Sequence, residues 1–535
     1  MPTSIFRSLV RHQVWIAFAL LPWLAFSATA APTDPVSVEL PPSGQGDPFV
    51  PGVRQVADLP QDYVEEEYFV SGAATLFNYA HNPPLGPTDL APIAEDVPWK
   101  TRIIVRRPAV HGQFHGTVVV EWWNSTAGFD TAPVWDTSAE YFARNGVVYV
   151  GVTNSTTSLG FLVGGCRLFG ILPPTCGTRY STLSLPENGL AYEMMSQLAN
   201  HLKSKGLGSP LPEEFDVERI YHAGQSQQGG SMVTYASGFG FEGNDGYFVQ
   251  QAATARPINF GPACGADGSP PFPDCTPRLV FPDNLVRTDL PVPVVHAVTE
   301  TDLQVLFGTF GRQPDTDTFR YYEIAGGSHL TVHQDVEIVP AGLLGPDPIF
   351  LDDLCQFPIN STADGPVFVS YVLNALWENL EQQVQRGIAP PPGVLMDVEM
   401  GVVQRDGFGN GLGGVRLPSM DVPTATYTPG NQADPNLPPF LQQIGNLACF
   451  LASSVVPFDS ETLHELYPNR GRYVDQVARA ANQLRGEGLL LPADRQNIVS
   501  LASHSGIGCG IGFELVFLLP PLLLSRRRGR KGAAD

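Results

Sequence analysis

The sequence predicts an α/β fold, in which a doubly wound, mostly parallel β-sheet carries helices on both faces. Short β-branched runs with the pattern of buried strands alternate along the chain with segments of helical spacing, which is typical of parallel sheets. Hydrophobic residues make up 43% of the 535 residues and charged residues only 16%, which excludes a disordered chain. The 54 glycines and 50 prolines indicate long, shaped loops and exclude a coiled coil.

The predicted strands and helices begin at residue 117. In chain order they are a strand at Thr117–Trp123, a helix at Asp136–Asn145, a strand at Val147–Thr153, a helix at Leu190–Lys205, and strands at Arg219–Ala223, Phe248–Ala255, Val292–Val298 and Phe319–Ile324. We expect one α/β body at residues 31–502, with its core at about 56–335 and an extension at about 336–502.

The extension is predicted to be partly helical. It contains a helix at Val367–Arg386, a glycine-rich stretch with short strands at Met400–Thr428, and terminal helices at Thr462–Glu487 and Pro492–Ala502. The sequence does not indicate what this extension does.

Residues 1–30 have the pattern of a secretory signal peptide. Two arginines precede an apolar stretch at Val14–Phe26, and Ala28–Ala30 supplies the small residues of a cleavage site. An uncleaved anchor helix is the alternative, which Pro22 and the short apolar core disfavour. We therefore expect an exported protein.

A second targeting signal is predicted at residues 503–535. A glycine-rich segment around Cys509 precedes the apolar run Phe513–Leu524, and an arginine cluster follows at Ser525–Lys531. This order resembles the tripartite sorting tails of bacterial surface proteins. We expect the tail to contact the envelope membrane or sorting machinery, on the periplasmic side or at the cell surface, and a buried terminal helix is the alternative.

Six cysteines lie in the body of the chain, two pairs of them in loops rich in glycine and proline. In an oxidising compartment disulfides are expected, although sequence alone does not fix their connectivity. The candidate pairs are Cys166–Cys176, Cys264–Cys275 and, by elimination, Cys355–Cys449. No Cys-x-x-Cys motif or clustered histidine accompanies them, so no metal site is expected.

The net charge of the chain bears on its partners. It is −22, from 31 Lys and Arg against 53 Asp and Glu. A surface of this sign repels phosphate backbones, so we expect no nucleic-acid partner. For the same reason, neutral or cationic small molecules are expected as substrates in preference to polyanions.

The sharpest local signal is Arg219–Gly230, where a predicted strand runs into Ser226 and a helix follows. This strand–turn–helix order is typical of a nucleophile elbow, which exposes a serine hydroxyl above a sheet. Gly224, two residues before the serine, allows the strand and the helix to pack without a Cβ clash. Gln228 departs from the pattern, because it stands where a second glycine is usual. The alternative interpretation of Ser226 is a helix N-cap.

A serine nucleophile needs a base to accept its proton and an acid to orient that base. In hydrolases of this sheet type the chain order is serine, acid, histidine. Asp302 follows a predicted strand and is the expected acid, with Glu300 as the alternative. His329 lies on a glycine-rich loop after the next strand and is the expected base, with His333 as its competitor.

Charge that develops on the substrate oxygen requires two backbone N–H donors. One is expected from Gln227, and the other from the turn Trp123-Asn124-Ser125 after the first strand, with Trp123 and Asn124 as the candidates. Trp122 and Trp123 are candidates for the wall of an acyl pocket or for ordinary core packing. The loops at 160–188 and 257–290, each expected to hold a disulfide, emerge where lids lie in such folds. A covered, aromatic pocket favours an ester with an apolar part.

Several of these segments resemble a bacterial family known mainly as alpha/beta hydrolase domain proteins. They are Val120–Asn124, Gly224–Gly229, Glu300–Asp302, Gly326–His329, Gly387–Pro392, Gly413–Pro418 and Asp421–Tyr427. The resemblance runs from about residue 56 to 502, and Gln228 departs from it where the family usually has serine. It implies an α/β-hydrolase fold with Ser226 as nucleophile, and it implies no particular substrate.

We therefore expect an exported serine esterase that acts on a small-molecule ester through Ser226, His329 and Asp302, without metal or cofactor. An acyltransferase or amidase with the same triad is an alternative from the same class. A non-catalytic surface-binding protein on a hydrolase scaffold is the alternative from a different class.

Overall fold

A computed structural model of the chain describes residues 36–52, 54–167, 175–205, 208–239, 243–259, 275, 277–278, 284–330, 337–339, 349–359 and 369–507. The predicted signal peptide, Cys264, His333, most of the 257–290 loop and the tail beyond residue 507 lie outside this part of the chain. Among the helices within it, none is long and apolar enough to cross a membrane.

A nine-stranded sheet lies at the centre of the fold, in the order β1-β2-β3-β5-β4-β6-β7-β8-β9. In chain order its strands are β1 (Ser37–Glu39), β2 (Tyr63–Tyr79), β3 (Leu90–Pro108), β4 (Thr117–Trp122), β5 (Val148–Val152), β6 (Arg219–Gln225), β7 (Gly246–Gln250), β8 (Val294–Thr299) and β9 (Phe319–Ile324). Strands β4 to β9 run parallel, and β1, β2 and β3 join one edge in antiparallel pairing. The predicted mostly parallel sheet is confirmed.

Helices pack on both faces of this sheet. In the core they are α1 (Pro133–Arg144), α2 (Thr156–Val163), α3 (Ala191–Ser204), α4 (Gln227–Gly238) and α5 (Glu300–Val305). Adjacent residues of β6 show the two faces, since Tyr221 packs against Trp377, on the first helix of the extension, and His222 packs against Tyr235 of α4. The doubly wound arrangement follows from this alternation.

Most predicted elements form with shifted ends, for identifiable reasons. Strand β7 ends at Gln250 rather than Ala255, because Gln251 has a positive φ of 54° that extended backbone does not allow. The predicted helix at Thr462–Glu487 is two helices, because Pro468 interrupts it and Asn469 caps the second one through the N–H of Arg472.

The long hairpin formed by β2 and β3 was not predicted. Its strands carry charged residues that are typical of a solvated surface, yet Arg102 and Arg106 are fully buried. The guanidinium of Arg102 pairs with Glu67 at 3.1 Å, and that of Arg106 pairs with Glu65 at 2.7 Å. These cross-strand ion pairs allow charged strands to complete one edge of the sheet.

In the part of the extension that the structure describes, six helices and short strand pairs are added to the core. Its helices are α6 (Val369–Arg386), α7 (Pro418–Asp421), α8 (Pro439–Leu451), α9 (Ser460–Leu466), α10 (Arg470–Gly486) and α11 (Pro492–His504). Its strands are β10 (Glu337–Val339), β11 (Ile349–Phe350), β12 (Val398–Glu399), β13 (Val402–Val403), β14 (Ala425–Thr428) and β15 (Ser454–Pro457). Val415 pairs with Ile324 at the free edge of β9, so the extension continues the central sheet.

Two of the predicted disulfides are present, Cys166–Cys176 and Cys355–Cys449. The first closes a loop beside α2, and the second ties Cys355 to α8 within the extension. The pairing of Cys264 with Cys275 stays a prediction, because Cys264 lies outside the described residues. Disulfides of this kind indicate an exported protein.

Candidate active site

Ser226 lies in the turn between β6 and α4 with an unusual backbone. Its φ is 56° and its ψ is −116°, and its side chain makes no capping hydrogen bond to α4. A non-glycine residue in such a region costs about 1–3 kcal/mol and is concentrated at active sites. The helix N-cap alternative is therefore unsupported, and the hydroxyl is free of any role in starting the helix.

Glycines allow the close approach that this turn requires. A Cβ on Gly224 would lie 2.4 Å from the backbone oxygen of Gln228, so β6 and α4 could not meet there with any other residue. A Cβ on Gly229 would lie 2.7 Å from the side chain of Ala252. Gly229 thus supplies the contact expected of a glycine at position 228, and the departure at Gln228 leaves the turn intact.

Asp302 and His329 meet at the carboxyl edge of the sheet. Asp302 lies in the first turn of α5, where its Oδ2 accepts hydrogen bonds from the N–H and the hydroxyl of Thr299 at 2.6 and 2.7 Å. Its Oδ1 lies 2.5 Å from Nδ1 of His329. Asp302 is 1% exposed and His329 is 4% exposed. A carboxylate fixed in this way sets the orientation of the imidazole ring.

The opposite edge of the His329 ring faces the end of β6. Its Nε2 lies 3.5 Å from the side-chain nitrogen of Gln225, the residue that precedes Ser226. The fold therefore brings Ser226, Asp302 and His329 to one edge of the sheet in the chain order serine, acid, histidine. Ser226 follows Gln225 directly in the chain, and a serine that meets a histidine oriented by a carboxylate can undergo nucleophilic chemistry.

Glu300, the alternative acid, has other partners. Its Oε2 accepts a hydrogen bond from the N–H of Gly326 at 2.8 Å, and its carboxylate forms an ion pair with Arg405 of the extension. Burial raises the pKa of Glu300, while Arg405 acts in the opposite direction. The structure thus places Asp302, and not Glu300, against His329.

The predicted oxyanion donors at Trp123 and Asn124 need correction. The N–H of Trp123 donates to the carbonyl of Val152 at 3.3 Å, and that of Asn124 donates to the carbonyl of Thr131 at 3.2 Å. Both groups are used in strand and bridge pairing and are not available to a substrate. Ser125 is next in the chain, and its hydroxyl donates to the side chain of Gln227 at 2.8 Å.

The backbone N–H of Gln227 is among the first donors of α4, which have no acceptor within the helix. Because the side chain of Ser125 contacts Gln227, the turn after β4 lies directly beside the start of this helix. The N–H of Ser125 thus replaces those of Trp123 and Asn124 as the second candidate donor.

A comparison with protein families agrees with this fold. The model of the family described as alpha/beta hydrolase domain matches residues 35–500. The chain belongs to the alpha/beta hydrolase domain family. The resemblance found in the sequence is confirmed, and the protein is an α/β hydrolase.

Solved structures resemble this α/β hydrolase only distantly. A protein assigned as a dienelactone hydrolase from Klebsiella pneumoniae subsp. pneumoniae is 13% identical, with a TM-score of 0.22 over 44% of this chain and 74% of that one. A poly(3-hydroxybutyrate) depolymerase from Bordetella parapertussis is 14% identical, with a TM-score of 0.23 over 39% and 64%. Esterase B from Lactobacillus rhamnosis is also 14% identical, with a TM-score of 0.19 over 36% and 50%. None of the curated proteins matches the chain.

The two tryptophans at the end of β4 belong to the core of the hydrolase. Trp122 packs against Tyr192 and Tyr235, and its Nε1 donates to Nδ1 of His222 at 3.2 Å. Trp123 is fully buried, and its Nε1 donates to the hydroxyl of Tyr149 at 2.8 Å. Their predicted place in the wall of an acyl pocket is therefore not supported, and core packing accounts for both.

Sequence reasoning missed a chain of buried amides beneath the site. Asn124 donates to the carbonyl and to the side-chain oxygen of Gln225, at 3.1 and 3.0 Å. Gln225 donates to Gln251 at 2.9 Å, and Gln251 donates to the carbonyl of Ser328 at 2.8 Å. These bonds join the ends of β4, β6 and β7 to the loop that carries His329. Amide side chains at or near the ends of successive strands were the sequence signal for this arrangement.

Within the described residues, no group of three or more His, Cys, Asp or Glu side chains is arranged to hold a metal ion. The polar side chains at the carboxyl edge hydrogen-bond to one another or to backbone groups, as described above.

Proposed function

We propose that this α/β hydrolase is an exported serine esterase, in which Ser226, His329 and Asp302 cleave the carboxylic ester of a small molecule. The observation that carries the proposal is the 2.5 Å contact between Nδ1 of His329 and Asp302, at the edge of the sheet where Ser226 has a strained backbone. Buried pairing of this kind orients a base toward a nucleophile.

The proposed reaction begins when Oγ of Ser226 attacks the ester carbonyl carbon and Nε2 of His329 accepts its proton. Asp302 holds the proton of Nδ1 and stabilises the imidazolium that forms. The N–H groups of Gln227 and Ser125 stabilise the oxyanion. The intermediate then expels the alcohol, which takes the proton from His329, and leaves an acyl-enzyme.

Water completes the reaction by the same route. His329 removes a proton from water, the resulting hydroxide attacks the acyl carbon, and the carboxylic acid leaves as Ser226 recovers its proton. These steps need no metal ion and no cofactor. The negative charge of the chain favours neutral or cationic esters over polyanions.

The ends of the chain supply the proposed route to the cell envelope. Residues 1–30 direct export, and residues 503–535 anchor the protein to the envelope membrane or present it to sorting machinery. Mass spectrometry of the protein recovered from the envelope tests both steps. A chain that starts near Ala31 supports cleavage of the signal, and a chain that retains Met1 contradicts it.

Labelling with a fluorophosphonate tests the nucleophile directly. The probe reacts with serines that a neighbouring base activates, and mass spectrometry locates the adduct. We expect one adduct on Ser226 of the purified full-length protein with its disulfides formed. It should be lost with Ser226→Ala and retained with Ser237→Ala, a matched change on α4. A folded protein that forms no adduct on Ser226 would refute the proposed function.

A further inference from the structure

The extension holds the loop that carries His329, which we name the base loop (Ala325–His329). At its start, the N–H of Ala325 donates to the carbonyl of Val415 at 3.1 Å. Near its end, the N–H of Ser453 donates to the hydroxyl of Ser328 at 3.0 Å. Directly after it, the N–H of Leu330 donates to the carbonyl of Leu451 at 2.9 Å. Residues of the extension therefore contact both ends of this loop.

A buried carboxylate lies at the centre of this contact. Glu300 is 0% exposed, and its Oε2 accepts the N–H of Gly326 in the base loop at 2.8 Å. Arg405 of the extension pairs with the same carboxylate. A Cβ on Gly411, which bridges to Arg405, would lie 2.6 Å from Oε2, so this part of the extension closes directly over Glu300.

Arg405 compensates the charge of the buried Glu300 carboxylate. A buried carboxylate is costly unless it is paired and hydrogen-bonded, so loss of Arg405 would remove the ion-pair partner of Glu300 beside the base loop and leave only the weaker influence of Arg416. Gly326 and Gly327 give the loop wide backbone freedom, which the Glu300 carboxylate restricts. A displacement of about 1 Å in a catalytic group can lower the rate about 100-fold.

We propose that Arg405 is a positioning residue, which acts through Glu300 and the N–H of Gly326 to hold His329 in place. The extension then helps to position the general base of the proposed reaction. The inference rests on the proposed function, in which His329 is the general base. Through this contact the extension and Glu300, the acid that does not contact His329, both act on the base loop.

A second buried pair offers a matched control. Arg312 binds Glu323 with two contacts, at 2.6 and 2.7 Å, and donates to the carbonyl of Met396 in the extension at 2.9 Å. This pair also joins a buried glutamate of the core to the extension. Among the described residues, however, the carboxylate of Glu323 accepts the N–H of Met396 at 2.6 Å and has no hydrogen bond to the base loop. Its loss should affect stability without affecting His329.

The experiment compares Arg405→Ala, Arg405→Lys and Arg312→Ala in the full-length protein. The readouts are kcat and KM for a short-chain p-nitrophenyl ester, the rate of fluorophosphonate labelling at Ser226, and Tm. We expect Arg405→Ala to lower kcat and the labelling rate about 10- to 100-fold while KM changes little. Arg405→Lys should recover part of the loss, and Arg312→Ala should lower Tm with kcat unchanged.

The outcomes separate this inference from the proposed function. If wild-type protein is labelled at Ser226 and Arg405→Ala has the same kcat and labelling rate, the inference is overturned and the proposed function stands. If wild-type protein is not labelled, the proposed function fails first and the inference falls with it.

A double variant keeps the test decisive if Arg405→Ala alone does not fold. Glu300→Gln combined with Arg405→Ala removes the unpaired charge but keeps an oxygen that can accept the N–H of Gly326. We expect its Tm to recover while kcat stays below that of the wild type, because no arginine then fixes the side chain at position 300 against the N–H of Gly326. A fully restored kcat would overturn the role of Arg405.

Discussion

Two buried histidines of the sheet belong to the core and are not part of the candidate site. His222 of β6 is fully buried, and burial lowers its pKa to about 3. His296 of β8 contacts the carbonyl of Ala252 through Nε2 at 2.6 Å, and burial lowers its pKa to about 4. Both are neutral in the folded protein and would bind protons once exposed, because an exposed histidine has a pKa of about 6.5.

The stability of the fold should therefore fall as the solution becomes acidic. Below pH ~6.5 the unfolded chain binds more protons than the folded one, so the free energy of unfolding decreases as pH falls toward the pKa values of the folded protein, about 3 and 4. His222→Asn keeps an acceptor for the Nε1–H of Trp122 but removes one of the two groups that bind a proton on unfolding. We expect its Tm to depend less steeply on pH between about 6.5 and 4.5 than that of the wild type.

Calorimetry at several pH values measures this dependence. His111→Asn, at an exposed position, is the control and should keep the slope of the wild type. If His222→Asn also kept that slope, the titration of His222 would not contribute to acid unfolding.

The sequence predicts the position of some residues of the site and not of others. Ser226, Asp302 and His329 each follow a predicted strand, and the carboxyl ends of parallel strands meet at one edge, so their proximity could be predicted. The second oxyanion donor, within the turn after β4, could not. The N–H groups of Trp123 and Asn124 are used by partners at Val152 and Thr131, and such pairing depends on tertiary structure that local patterns do not contain.

Among the secondary-structure elements, the charged strands were the hardest to predict from the sequence. The β2–β3 hairpin has glutamates and arginines that local patterns assign to a surface, and only the pairing across the strands shows why they are buried. The parallel strands were easier, because their β-branched runs are buried on both faces. The contacts between the extension and the base loop were likewise not predictable, since they join residues far apart in the chain.

Helix α8 connects a disulfide to the base loop. It carries Cys449, which is bonded to Cys355 across a sequence separation of 94, and it ends at Leu451, whose carbonyl accepts the N–H of Leu330. In the chain-entropy model a loop of this length stabilises the fold by about 4–5 kcal/mol. Loss of this disulfide should therefore loosen α8 at the point where it contacts the loop of His329.

We expect the double variant Cys355→Ser/Cys449→Ser to lower both Tm and kcat. Cys166→Ser/Cys176→Ser removes a disulfide that spans only 10 residues and contacts no part of the base loop among the described residues. This control should lower Tm with a smaller effect on kcat. Thermal unfolding and steady-state kinetics on the same ester measure both effects, and equal kcat values for the two variants would show that α8 does not act on the site.

At the scale of the whole molecule, the parallel sheet explains where the site lies. Strands β6, β8 and β9 end at the same edge, so the serine turn, the acid of α5 and the base loop converge there although they are far apart in the chain. The extension then pairs with the edge strand β9 and reaches this same edge through Arg405. The topology of the core and the attachment of the extension together determine the geometry around His329.

The charge of the molecule should act on substrates before they reach this edge. A net charge of −22 repels an anionic ester, and the repulsion extends over a Debye length of about 30 Å in 0.01 M salt but only about 8 Å in 0.15 M salt. The value of kcat/KM for an anionic ester should therefore rise with salt. A neutral ester of the same shape should show little change, and a cationic one should show a decrease, because salt screens its attraction.

Kinetics with three matched esters at these ionic strengths test the effect, while fluorophosphonate labelling of Ser226 under the same conditions controls for changes in the enzyme itself. If kcat/KM for the anionic ester fell with salt, a local positive charge near the site would outweigh the field of the whole chain. The substrate would then have to be sought among anions.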